Sequence, residues 1–423
     1  MNVAIIGSGG REHALALKIS KSPTLNELYI IPGNPGTTQC GTNVELDVND
    51  HPSIYNFCID KNILLVVVGP EAPLVAGLSD YLRDKKINVF GPSAKAARIE
   101  SEKSFAKKMM VENNVPTAEY KEFTSTQYES AKNYLEKSKY PIVIKADGLA
   151  AGKGVLICNN KLEALKNLDD LFLNNKFGEA GNKIIIEEFL EGEEASIFAI
   201  TDGVNFVCLP SSQDHKRIGE DDTGLNTGGM GAYSPARIIT DKILQEIKFK
   251  IIKPIINALR NNGNEFVGCL YAGLMLTKDG IKVIEFNCRF GDPETQAVLP
   301  LLEGDFLKLL YSASIRNIEK NSVKYNGGCS ICVVASSKGY PENYKKGFEI
   351  KGLERITDPN VIIYHAGTKL VENKVVTNGG RVLGITMFSD ELNFEEVKKI
   401  VYQNIEKINF DGIYFRRDIA HRA

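Results

Sequence analysis

The sequence predicts an α/β protein with a doubly wound parallel sheet at its N-terminus. A small two-layer α+β module is inserted into a larger α+β domain, and the C-terminal part is rich in β-structure. Three observations carry that expectation. Residues 1 to about 100 alternate short apolar runs with helical patterns, the signature of parallel strands joined by crossover helices. From about 121 to 191 the strands surround a glycine-rich loop instead. The last hundred residues return to closely spaced strands, with an Asn378-Gly379 hairpin signal.

In order along the chain, strands are expected at 3–6, 28–31, 64–68 and 88–90, with helices near 12–20, 52–60 and 74–85. Ser93, after Gly91 and Pro92, is expected to cap the next helix. The inserted module then takes a helix near 127–138, strands at 141–145 and 155–158, another helix, and the apolar run 184–190. Further strands at 270–276 and 281–287 are joined by the turn Lys278-Asp279-Gly280. These patterns divide the chain into 1–100, 101–120 together with 192–325, 121–191, and 326–423.

The bulk properties narrow the class of function. The chain has 423 residues, 43% hydrophobic and 25% charged, which suits several packed domains. Lysine and arginine number 51 against 53 acids, a net charge of -2, so no polyanionic partner such as nucleic acid is expected. Any phosphate must be held by local groups. The eight cysteines lack framework spacing, and Cys329 and Cys332 lie on one apolar strand where their sulfurs face opposite ways. Reduced thiols in the cytoplasm are the natural reading. The residues 3–7 already read as a strand, leaving no room for a signal peptide, and the longest apolar run, Ile63–Val68, is too short to span a membrane.

The first glycine cluster, Gly7-Ser-Gly-Gly-Arg-Glu-His13, follows the first strand, where glycines let a backbone approach a phosphate at a helix N-terminus. It does not read as a dinucleotide site. Glu12 stands where the third glycine belongs, and the second strand ends in Pro32-Gly-Asn-Pro-Gly-Thr37 instead of a ribose-binding acid. A single phosphate fits better, with Asn34, Gly36, Thr37 and Thr38 as further donors; tight turns that merely need glycine also fit. Glu71, in Gly69-Pro-Glu71, falls at the carboxyl edge of the sheet, where an acid can accept from sugar hydroxyls or be an ordinary loop residue.

The second cluster, Lys145-Ala-Asp-Gly-Leu-Ala-Ala-Gly-Lys-Gly154, is not a Walker loop. Its spacing differs, Gly154 replaces the hydroxyl residue, and a strand follows it where a helix should begin. A glycine-rich loop between two strands can instead fold over phosphates and exclude water, or be a plain flexible hairpin. Lys145, closing an apolar strand, calls for an anion. The run 184–190 leads into Glu191-Gly-Glu-Glu194, where Glu194 can reach ribose hydroxyls or belong to an ordinary acidic surface loop. Ser211-Ser-Gln-Asp-His-Lys-Arg217 offers Asp214 for an ammonium group and Lys216 or Arg217 for a carboxylate; a solvated polar loop fits equally.

The strongest feature is Lys282-Val-Ile-Glu-Phe-Asn-Cys-Arg-Phe-Gly-Asp-Pro-Glu294. On an extended strand Glu285 and Asn287 share a face, two hard oxygen donors of the kind magnesium prefers. Arg289 continues on that face, set to meet a carboxylate or developing negative charge. The five histidines match no metal motif, and no nucleophile elbow is present.

In their order, these motifs resemble the ATP-grasp superfamily, and within it the phosphoribosylamine–glycine ligase family of purine biosynthesis. The likeness runs through Ser8-Gly-Gly-Arg-Glu-His-Ala14, Gly69-Pro-Glu71, the 145–154 loop, Glu187-Glu-Phe-Leu-Glu-Gly-Glu-Glu194, Asn226-Thr-Gly-Gly-Met-Gly231 and Arg289-Phe-Gly-Asp-Pro-Glu-Thr-Gln296. The resemblance implies an ATP-grasp fold and an enzyme joining glycine to 5-phosphoribosylamine with ATP and Mg2+ or Mn2+. It implies ATP at Lys103, Lys145, Gly152, Lys153, Gly154, Glu187, Phe189, Leu190 and Glu194. Glu285 and Asn287 would carry the metal; the preceding strand, 270–276, has no acid to add a third ligand. The phosphoribosyl substrate would lie at Gly9, Gly10, Asn34, Gly36, Thr37, Thr38, Pro70, Glu71 and Asp292. Arg289, Asp214 and Lys216 would surround glycine and the transferring phosphate. A single-function, cytoplasmic monomer or weak homodimer without nucleic-acid or membrane partners is expected.

Overall fold

The computed structural model describes residues 1–148, 154–174 and 178–423. The N-terminal strands pair in parallel in the order Thr42–Asn43, Glu27–Pro32, Asn2–Gly7, Ile63–Val68, Asn88–Phe90. Strand order reverses at Asn2–Gly7, so the connections leave it in opposite directions and a crevice opens beyond its carboxyl end. Both faces of that strand are buried: Val3 and Ile5 join one core cluster, Ala4 and Ile6 another. The helix expected near 74–85 is two, Glu71–Val75 and Leu78–Asp84, separated at Gly77, whose φ of 86° suits glycine. Ser93 Oγ accepts from Ala96 N at 3.2 Å and starts Ala94–Ser101.

The inserted module is an antiparallel sheet in the order Tyr120–Thr124, Lys183–Glu188, Ile142–Ala146, Val155–Cys158. The helices Tyr128–Lys137 and Lys161–Phe172 bury Leu135 and Leu168 against Ile142, Ile144, Ile184 and Ile186 on one face. Alternation therefore turns Lys145 and Glu187 to the other face, toward the rest of the protein.

A second antiparallel sheet runs Phe206–Cys208, Glu193–Thr201, Gly268–Thr277, Gly280–Asn287. The last sheet runs Gln213–Asp214, Gly231–Ser234, Cys329–Ser337, Arg381–Ser389, Val361–His365. Asp214 thus enters the sheet of the C-terminal part although it comes from the middle of the chain. Cys329 and Cys332 fall in different clusters, and burial raises the pKa of both thiols. Among the described residues no helix is long and apolar enough to cross a membrane.

The expected Asn378-Gly379 hairpin does not form. The hairpin pairs Thr368–Val371 with Lys374–Thr377 around Glu372 and Asn373, both at positive φ (47° and 63°). Arg381–Ser389 pairs instead with Cys329–Ser337 and Val361–His365. A Cβ on Gly379 would lie 2.8 Å from the Gly367 Cα, so close backbone approach requires that glycine.

Candidate active site

At the carboxyl edge of the parallel sheet lies a cleft of about 440 Å³ bordered by the 7–9 turn, Arg11, Asp47, Pro70 and Asp292. Glu12 organises it. Its carboxylate accepts from Gly9 N at 2.6 Å and from Arg11 Nε at 2.5 Å. It also fills the space beside two glycines: a Cβ on Gly7 would meet Glu12 Cγ at 2.6 Å, and one on Gly69 would meet its Oε1 at 2.2 Å. The acid that breaks the dinucleotide pattern therefore ties the two turns together.

Asn34 holds the neighbouring turn. Its Nδ2 donates to Ser8 O (2.8 Å) and His365 O (2.9 Å), and its Oδ1 accepts from Gly36 N (2.9 Å) and Thr37 N (3.2 Å). Thr37 Oγ1 donates to Asn43 Oδ1 at 2.6 Å, and the exposed Thr38 hydroxyl donates to Pro35 O at 2.7 Å. Gly10 opens the helix Gly10–Ile19, whose first turn faces this cleft. Asn34 and Thr37 shape the turn, and the N–H groups of Asn34, Gly36 and Thr37 are engaged within it.

Beyond the cleft the strand Gly280–Asn287 pairs Glu285 with Gly273, itself opposite Ser196, and Asn287 with Tyr271. A register shift leaves Ile284 outside the pairing, after which Glu285 and Asn287 share one face. Among the described residues neither side chain has a hydrogen-bond or ion-pair partner, though both are half-buried. Burial pushes the Glu285 carboxyl up, but Lys216, Lys145, Lys103 and Arg289 together hold it below the usual range. An unclaimed carboxylate beside an unclaimed amide oxygen, ringed by cations, fits a small divalent ion that shares its shell with phosphates. Among the described residues no cluster of three or more acids, histidines or cysteines offers a closed metal site.

The cations come from separate elements. Lys145 contacts Glu187 Oε2 at 2.9 Å and donates to Ile284 O at 3.3 Å. Lys103 donates to Gly148 O at 3.0 Å, where the glycine-rich loop begins. Gly154, at its far end, is buried and its carbonyl accepts from Ala146 N at 2.9 Å; Gly152 and Lys153 lie outside the described residues. Phe189 and Leu190, half-buried, follow the strand that carries Glu187. Lys216 pairs with Glu194 at 2.6 Å. Burial pushes the Asp214 carboxyl up, with Lys216 opposing and Glu294, Glu194 and Glu285 adding to the rise.

Arg289 joins the two halves: its Nε meets Glu71 at 3.1 Å and its Nη2 meets Glu100 at 2.8 Å. Asp292 contacts Arg381 at 3.3 Å and accepts from Gln296 Nε2 at 2.7 Å. Burial pushes its carboxyl up, but Arg381 and Arg11 hold it low.

Glu294 lies in the 282–294 run but has no role assigned to it there, and Lys107, Glu100, Arg381 and Asp47 escape a reading of motifs. Of these four, only Lys107 left a trace in the sequence, four residues after Lys103 and hence on the same helix face, a spacing that a solvated helix shows as often. A larger open hollow of about 620 Å³, lined by Val111 and residues 114–120, contains none of the cations that ring Glu285.

Three family models match successive parts of the chain. Residues 1–100, 101–295 and 330–422 match the phosphoribosylglycinamide synthetase N domain, ATP-grasp (A) domain and C domain. The phosphoribosylamine–glycine ligase of Caldanaerobacter subterraneus is 46% identical over 99% of both chains. The bifunctional purine biosynthetic protein of Pichia angusta is 48% identical over the whole of this chain, which spans 54% of that protein's length. The crystal structure of the Thermotoga maritima phosphoribosylamine–glycine ligase superposes with a TM-score of 0.86 at 33% identity, over 99% of this chain and 100% of that one.

Proposed function

The chain belongs to the phosphoribosylglycinamide synthetase family, and from that premise we propose that it joins glycine to 5-phosphoribosylamine at the expense of ATP, the glycine-ligation step of purine biosynthesis. The observation that carries the reading is Glu285: an unclaimed anion beside Asn287, facing Lys103, Lys145, Lys216 and Arg289. Glu285 and Asn287 would hold Mg2+ or Mn2+, which would offset the negative charge of the nucleotide phosphates.

ATP lies between the inserted module and the central sheet. Lys103 and Lys145 neutralise its phosphates, Glu187, Phe189 and Leu190 present backbone to adenine, and Glu194 takes the ribose. Residues 148–154, including Gly152, Lys153 and Gly154, exclude water. A glycine carboxylate oxygen bonds to the γ-phosphorus as the bond to the ADP oxygen breaks, giving glycyl phosphate and ADP. Lys216 and Arg289 meet the negative charge, and Asp214 the glycine ammonium. The substrate phosphate sits on the backbone of Gly9, Gly10 and the turn of Asn34, Gly36, Thr37 and Thr38, with Pro70, Glu71 and Asp292 along the ribose. Its amine nitrogen bonds to the acyl carbon as the carbon–oxygen bond to phosphate breaks, and inorganic phosphate leaves with the proton that the nitrogen gives up. Positioning and electrostatics supply the catalysis, since no enzyme nucleophile is needed. The enzyme works in the cytoplasm as a monomer or weak homodimer, without nucleic acid or membrane.

The test is mass detection of 5'-phosphoribosylglycinamide from ATP, glycine and freshly made phosphoribosylamine. ADP release that ignores glycine would refute the assignment.

A further inference from the structure

Glu187 is proposed above for its backbone, yet its side chain is the more unusual group. It is 4% exposed and receives two lysines: Lys145 at 2.9 Å on Oε2 and Lys107 at 3.3 Å on Oε1. The three come from different elements. Lys107 lies on the helix Lys103–Glu112, Lys145 on the strand Ile142–Ala146 and Glu187 on Lys183–Glu188. Lys107 also donates to Thr117 Oγ1 at 2.7 Å and to Ala118 O at 3.4 Å. Thr117 in turn donates to Val283 O at 2.8 Å, two residues from Glu285. One ammonium therefore touches both places where the chain crosses between the central sheet and the inserted module: 117–118 on the way in, Glu187 on the way out.

A buried carboxylate left without a counter-charge is costly, whereas two cations on one carboxylate leave one to spare. Lys145 is the one that can be spared, because it also reaches Ile284 O on the strand that carries Glu285 and Asn287. Lys107 is 2% exposed and anchored to Thr117 and Ala118. We propose that Lys107 is a positioning residue for the nucleotide: it keeps Glu187 compensated so that Lys145 can leave that carboxylate for the ATP phosphates. The proposal rests on the reading of Lys145 as a phosphate ligand.

The test is equilibrium titration of the full chain with MgATP, glycine absent, on the parent, Lys107→Met, Lys107→Arg, Glu187→Gln and the Lys107→Met/Glu187→Gln pair. With methionine at 107, Glu187 claims Lys145, so MgATP binding should weaken more than fivefold while arginine restores it. Glutamine at 187 needs no counter-ion, so the double variant should bind MgATP within fivefold of Glu187→Gln alone, the loss caused by methionine at 107 being suppressed. In steady state the loss should fall on KM for ATP and leave KM for glycine unchanged. A double variant that binds more than fivefold more weakly than Glu187→Gln would overturn the proposal, as would Lys107→Met binding within fivefold of the parent. If Lys107→Met does not fold, the double variant is compared with Glu187→Gln, and a gap of more than fivefold overturns the proposal. A parent that binds MgATP but makes no ribonucleotide product would sink the functional reading alone, since the affinities still rank the variants.

Discussion

Replacing Arg289 with methionine removes the guanidinium that bridges Glu71 and Glu100 while keeping much of the apolar stem. The consequence is set by Glu100. Its side chain is 7% exposed, and its Oε2 accepts from Cys288 N at 2.7 Å, at the end of the strand that carries Glu285 and Asn287. Burial pushes its carboxyl up, and Arg289 is the largest charge opposing that rise. Breaking a buried pair by removing one partner costs about 3–5 kcal/mol. Proton uptake limits the damage. Keeping a carboxyl of ordinary pKa 4.5 protonated at pH 7 costs about 3.4 kcal/mol, roughly 1.36 kcal/mol for each pH unit. At pH 5.5 that ceiling falls to about 1.4 kcal/mol. The folded variant then holds a proton the unfolded chain has released, so its stability falls as pH rises above the usual carboxyl range. Glu71, a third exposed, adds little after solvent screening. The assay is the urea-unfolding free energy of parent, Arg289→Met and Arg289→Met/Glu100→Gln at both pH values. We expect a loss of about 3 kcal/mol at pH 7 and about 1 kcal/mol at pH 5.5, most of it regained in the double variant. Equal losses at the two pH values, or a loss under about 0.5 kcal/mol at pH 7, would refute the pairing argument.

Glu285→Ala should cut turnover by roughly a thousandfold or more while far-UV dichroism stays unchanged; near-normal ADP release would remove the metal assignment. Gly36→Ala should raise KM for phosphoribosylamine and cost about 1–3 kcal/mol, because the new Cβ would lie 2.3 Å from His13 Cε1 and 2.7 Å from His365 Cδ2. MgATP affinity is the control that should not move. His13 and His365 are held neutral, mainly by burial, with pKa values lowered to about 3 and about 4, and His13 Nδ1 accepts from His365 N at 2.9 Å. Their folded pKa values lie below the unfolded one, so stability is complete above about pH 6.5 and declines as pH falls. At pH 5 each should cost about 2 kcal/mol, and His13→Gln should flatten the unfolding free energy between pH 7 and pH 5.

Much of this protein is legible residue by residue because the governing rules are local. A strand alternates its side chains whatever it pairs with, so Glu285 and Asn287 on one face, and Cys329 and Cys332 on opposite ones, follow from spacing alone. Apolar runs flanked by turn residues mark the N-terminal strands, and Ser93 marks a helix start by a bond three residues long. Partnership is another matter. Asn378-Gly379 carries the composition of a hairpin turn, yet the strand after it pairs elsewhere and the true turn is Glu372-Asn373. Asp214 joins the C-terminal sheet from the middle of the chain, Arg289 reaches back to Glu71, and Lys107 meets an acid eighty residues away. No local propensity encodes such choices. Which charge faces which is decided only when packed layers remove water and leave each buried ion with the neighbours the fold supplies.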